Sequence, residues 1–142
     1  MVNDLRLYAW RTKFHSLAFQ HNLNERWRFM SQIMDGSTDM GPQIVYADFR
    51  SWYLGLRYQQ EKHSVTFRYD WFRVWEDDLR PNDQNDSDGY GVTLAWRYQL
   101  NSNWELGAEY HYNENSVANR VQLDIPIEQN QSQSRLVIAY HF

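Results

Sequence analysis

Apolar and polar residues alternate one by one along much of this chain. Val65, Phe67, Tyr69 and Trp71 share one parity, and Thr66, Arg68, Asp70 and Phe72 the other. Tyr90, Val92, Leu94, Trp96 and Tyr98 oppose Gly91, Thr93, Ala95, Arg97 and Gln99. Trp104, Leu106, Ala108, Tyr110 and Tyr112 oppose Glu105, Gly107, Glu109, His111 and Asn113. The same holds for Trp52, Leu54, Leu56 and Tyr58, and for Trp27, Phe29 and Ile33. A weaker segment surrounds Leu17 and Phe19, where a bulge would reset the register. A period of two places alternate side chains on opposite faces of a β-strand.

The rings sit at the ends of each apolar row. Tyr90 and Tyr98 bracket Val92 and Leu94, and Trp104 and Tyr112 bracket Leu106 and Ala108. With Trp27, Trp52, Tyr58, Trp71 and Tyr140, these rings predict two aromatic girdles at the interfaces of a membrane. Ordinary core aromatics of a β-sandwich are the competing explanation. Charge at mid-strand on the opposite face favours the girdles.

The connections alternate as well. Asn22–Glu25, Gln60–His63 and Leu100–Asn103 read as tight hairpin turns. Asp35–Gln43, Glu76–Gly89 and Glu114–Gln131 read as long polar loops. Short periplasmic turns and long outer loops belong to outer-membrane barrels. Strand direction then follows: seven strands, the first and last both running from the outer side to the periplasm. The expected fold is all-β: an antiparallel up-and-down transmembrane β-barrel, incomplete, with about seven strands of a larger barrel. Residues 1–142 form one domain, in which 1–12 are an outer loop or the upper part of the first strand. Val121, Leu123, Ile125 and Ile127 also alternate, and a spanning Arg120–Glu128 would make eight strands. Pro126 removes a ladder donor, so a β-like excursion inside the last outer loop is preferred.

Composition supports a wall that is lipid-facing on one side and wet on the other. There are 7 Trp, 10 Tyr and 7 Phe, yet the mean hydropathy is −0.80. No apolar run approaches the roughly 18 residues of a spanning helix. Cysteine is absent and the net charge is −4 with dispersed arginines, so nothing resembles a nucleic-acid footprint. The N-terminus carries no apolar signal core or cleavage site. A signal peptide has been removed, or this is the tail of a longer chain.

The chain ends on SQSRLVIAYHF, with Leu136, Ile138, Tyr140 and Phe142 on one parity. This terminal aromatic strand resembles the signal read by the outer-membrane barrel-assembly machinery. Together with the alternating strands and uneven connections, it resembles the C-terminal half of a Gram-negative outer-membrane porin from Lys13 onward. The resemblance implies a passive channel for small hydrophilic solutes or ions in the bacterial outer membrane. It also implies contact with lipid and lipopolysaccharide, and often a homotrimer. No cofactor is expected.

The face opposite the rings collects Arg28, Arg57, Arg68, Asp70, Arg97, Glu105, Glu109, His111 and Arg135. Charges facing a barrel interior need water or partners. They predict a polar pore wall; a plugged interior held by Arg–Glu struts is the alternative. Arg68, Arg97 and Arg135 would make a basic ladder, but Glu105 and Glu109 sit on the strand beside Arg97, so no charge selectivity is assigned. Gln84–Gly89 starts like a calcium loop, but its twelfth position is Ala95, so a solvated loop is expected. His21 and His63 suit girdle or turn positions, and His111 and His141 the lumen. Metal spacing and nucleophile motifs are missing, so no enzyme is expected. Two other readings stay open: a closed eight-stranded barrel with a structural or adhesive role, and a soluble lipocalin-like binding barrel.

Overall fold

A computed structural model describes residues 10–41, 45–76 and 85–142. Seven antiparallel strands form one sheet in sequence order, β1-β2-β3-β4-β5-β6-β7. They are β1 (Trp10–Asn22), β2 (Trp27–Met40), β3 (Val45–Gln60), β4 (His63–Glu76), β5 (Ser87–Gln99), β6 (Trp104–Val117) and β7 (Glu128–Tyr140). β1 and β7 are the two edges of an open sheet. The ladders run without a bulge, including β1 against β2, so parity holds from one edge to the other.

Almost nothing is buried. Among the described residues Ala47 is the only buried hydrophobic, while Leu94, Leu136 and Ile138 are 49%, 89% and 70% exposed. A single sheet has no second layer to form a core, so its apolar face must meet a non-aqueous surrounding. No helix among the described residues is long and apolar enough to cross a membrane, which leaves crossing to the strands.

The strands are longer than the expected ones. Asp35–Met40, assigned to a loop, is paired with Val45–Arg50. Glu114–Val117 and Glu128–Gln131, also assigned to a loop, belong to β6 and β7, as Ser87–Gly89 belongs to β5. The reason is that a ladder is made by backbone groups. Above the membrane both strand faces meet water, so Asp, Ser and Asn mark solvent there and not the end of pairing. Asp77–Gln84, with the start of the calcium-like run, lies outside the described residues.

Arg120–Glu128 is neither a spanning strand nor a β-like excursion. Ala118–Leu123 forms a short 3-10 helix that ends on Asp124 at φ 57°. Arg120 clamps it by donating from Nη1 to the carbonyls of Asn115 (3.3 Å) and Ile127 (2.9 Å). The left-handed residue and Pro126 both break an extended run.

Two hairpin turns share one design. In Leu23–Trp27, Asn24 Oδ1 accepts from the backbone N–H of Arg26 (2.9 Å) and Trp27 (3.0 Å). In Leu100–Trp104, Asn101 Oδ1 accepts from Asn103 and Trp104, both at 2.9 Å. In each, the leucine N–H bonds the tryptophan carbonyl at 2.9 Å. The asparagine side chain thus closes the turn and delivers a tryptophan onto the next strand. Asn101→Ala should cost about 0.5–1.5 kcal/mol, because it orphans two turn donors at a wet rim. Asn101→Asp, which keeps the acceptor, should cost less. Urea unfolding of the refolded chain in micelles checks both.

Candidate pore-lining face and membrane belt

Register assigns every strand residue to one of two faces. One face carries cross-sheet rows such as Leu56, Phe67, Leu94 and Tyr110, directly paired from β3 to β6. Below this row lies a chain of rings at the short-turn rim. Trp27 packs on Tyr58 at 4.8 Å, His63 on Tyr98 at 4.7 Å, Trp104 on Tyr140 at 4.9 Å, and Tyr140 on Phe142 at 5.1 Å. Above it a second chain runs Trp52–Trp71 (6.2 Å), Trp52–Tyr69 (5.5 Å), Tyr69–Tyr90 (6.0 Å) and Tyr90–Tyr112 (6.2 Å). At about 3.3 Å per residue, Tyr90 to Tyr98 spans roughly 26 Å of strand. A tilt of about 40° reduces this to roughly 20 Å of height, close to the apolar band of an outer-membrane barrel.

Charge appears on this face immediately above the upper rings. Arg50 bonds Asp35 at 2.7 Å, and Arg50 and Arg73 each lie 5.9 Å from the ring of Trp75. Glu114 is held by Tyr112 (2.9 Å) and Tyr90 (3.2 Å), whose hydroxyls donate to it. The apolar band therefore has a sharp upper limit.

The opposite face brings together all nine of the residues expected to line a pore, on β2 through β7. Arg97 is gripped by Glu109 and lies 3.5 Å from Glu105. Arg68 pairs with Asp70 at 2.7 Å and stands over Tyr53 at 5.0 Å. His111 Nδ1 shares a hydrogen bond with the Thr93 hydroxyl at 2.9 Å. Arg135 donates to Gln133 Oε1 at 2.7 Å, Arg57 to Gln59 Oε1 at 3.2 Å, and Arg28 to Asn22 Oδ1 at 2.9 Å. Two of the three arginines of the supposed basic ladder are thus neutralised, and only Arg135 keeps a neutral partner. Groups of three or more potential metal ligands are absent among the described residues.

A family model of Gram-negative porins matches residues 17–118, well over half of the chain. The chain belongs to the Gram-negative porin family. Its place is therefore the bacterial outer membrane. No curated protein and no solved structure matches it.

Several features of this porin escaped sequence reasoning. Tyr69 joins the upper ring chain, although it was not placed in a girdle, and His63, for which a girdle or a turn position was expected, stacks in the lower one. The paired sequence L-N-x-x-W at Leu23–Trp27 and Leu100–Trp104 marked two turns of one kind, and could have been seen as a repeat. The polar face also carries Phe49 and Phe72, whose rings lie over Gly36 and Gly89. Such a ring beside a cross-strand glycine was the available signal.

Proposed function

We propose that this porin is a passive channel for small hydrophilic solutes or ions, and that the face of Arg28, Arg57, Arg68, Asp70, Arg97, Glu105, Glu109, His111 and Arg135 lines its water-filled lumen. The observation that carries this is the segregation of the sheet. Guanidinium and carboxylate groups occupy one face, and aliphatics between two ring chains occupy the other. Water must reach the charged face, since dry burial of so many ions is prohibitive. The aromatic face then meets lipid, and lipopolysaccharide at its outer rim.

The open sheet supports a place within a larger barrel wall. Its edges, β1 and β7, run in the same direction, and unpaired edges are not tolerated in lipid. Antiparallel closure therefore requires an odd number of further strands. The row Leu136, Ile138, Tyr140 and Phe142 has the aromatic pattern that the assembly machinery would read, and Leu136 and Ile138 are largely exposed. A homotrimer fits the same reading.

Conductance tests the function. Protein extracted from outer membranes and added to a planar bilayer should produce discrete, ohmic current steps. Silence at saturating protein, with the strands shown to be folded by circular dichroism, would sink the channel and favour a structural wall.

A further inference from the structure

The arginines of the polar face do not share one fate. Arg68 and Arg97 have carboxylate partners, and Arg28 and Arg57 have none among the described residues. Arg28 and Arg57 are nevertheless direct cross-strand partners on β2 and β3. Like charges in that relation repel and destabilise a sheet. Among the described residues their side-chain bonds go to amide oxygens, those of Asn22 and Gln59. Arg57 Nε is shielded from solvent and has no hydrogen-bond partner among the described residues. A guanidinium N–H left so is costly, which adds to the cost of holding this pair without a counter-charge.

A cleft of about 100 Å³ lies at the short-turn rim beside this pair, lined by Arg28, Arg57, Asn22 and Gln59 together with Arg26 and Glu25. It has room for a tetrahedral oxyanion and several waters. Three guanidinium groups face one carboxylate, so the cleft is electropositive. Planar guanidinium forks match the oxygens of phosphates and carboxylates.

We propose that Arg28 and Arg57, with Asn22 and Gln59, form a binding site for a small phosphate or carboxylate anion at the short-turn mouth of the polar face. The proposal rests on this face being wet, as the channel reading has it. Within a channel such a site draws anions to one mouth and releases them readily, because it is open and its cations are partly screened. It differs from a basic ladder along the wall, since Arg68 and Arg97 are neutralised by their own carboxylates.

Inorganic phosphate is the probe. The full chain is refolded in a non-ionic, phosphate-free detergent at low ionic strength, and phosphate binding is followed by ³¹P NMR shift and linewidth. Saturable binding is expected. Arg28→Gln and Arg57→Gln should each weaken it about tenfold, the loss of one charged hydrogen-bonding group. Arg57→Lys keeps the charge but lacks the planar guanidinium fork, and should also weaken binding severalfold. Arg135→Gln should leave it within about twofold, because Arg135 is outside the cleft. If a glutamine variant does not fold, Arg28→Lys and Arg57→Lys decide the matter alone. No saturable binding overturns the site, as does equal affinity in the wild type and the lysine variants, or equal loss in Arg135→Gln. Conductance of the same samples is measured separately. Binding with a silent bilayer removes the channel and keeps the site; conductance without binding does the reverse.

Discussion

Arginine at Leu94 should destabilise the refolded protein by about 2–4 kcal/mol, whereas arginine at the next residue, Ala95, should cost less than about 1 kcal/mol. The two positions are neighbours in sequence with opposite surroundings. Leu94 pairs with Phe67 and Tyr110 midway between the ring chains. A guanidinium there sits near the bilayer midplane, far from either interface. Ala95 pairs with Thr66 and Glu109 on the charged face, where a new arginine finds water and a carboxylate. Urea unfolding in lipid vesicles reads both. Equal losses would show that the sheet does not separate lipid from water. The reverse order, with Ala95→Arg the costly change, would mean that the rings face inward, as in a soluble ligand-binding barrel.

Gly89→Ala should cost about 1–3 kcal/mol, while Gly55→Ala should cost less than about 1 kcal/mol. A Cβ at Gly89 would stand 2.5 Å from the Glu114 carbonyl oxygen, 2.8 Å from Phe72 Cε1 and 3.0 Å from Asn115 Cα. Two of these atoms are backbone of β6, so relief requires β5 and β6 to separate. That opening also disturbs Glu114, which the Tyr90 and Tyr112 hydroxyls hold. At Gly55 the nearest atom is 3.4 Å away, the mobile end of Met30. Midpoints of unfolding for the two alanine variants, measured side by side, settle the comparison. Similar midpoints would show that β5 and β6 give way without cost.

The two faces and the rows of rings at their ends were legible in the residue order. A strand residue's face depends only on parity, so Leu94 and Arg97 declare their sides without knowledge of any partner. The three tight turns were equally visible, because Asn24, Glu61–Lys62 and Asn101 act through local hydrogen bonding and local backbone geometry. Glu61, at φ 50°, takes the left-handed turn conformation directly.

Strand ends were harder to see. Asp35–Met40 is as polar as a loop, and the backbone ladder that keeps it in β2 leaves no mark on its side chains. Val121 to Ile127 alternates like a strand, but Asp124 and Pro126 turn it into a 3-10 helix and an irregular return. Here a short hydrophobic pattern was outweighed by two residues that disfavour extension.

The residue order by itself determined an antiparallel, one-sheet wall with a lipid-ready face and a charged face, because a period of two is a local property of the chain. Only the tertiary structure decided which charges meet. Arg97 finds Glu105 and Glu109, and Arg28 faces Arg57, through registers set across strands, whereas Arg68 keeps Asp70 from its own strand. Coulomb interactions act at a few ångströms, so the identity of a partner follows from pairing in space and not from composition.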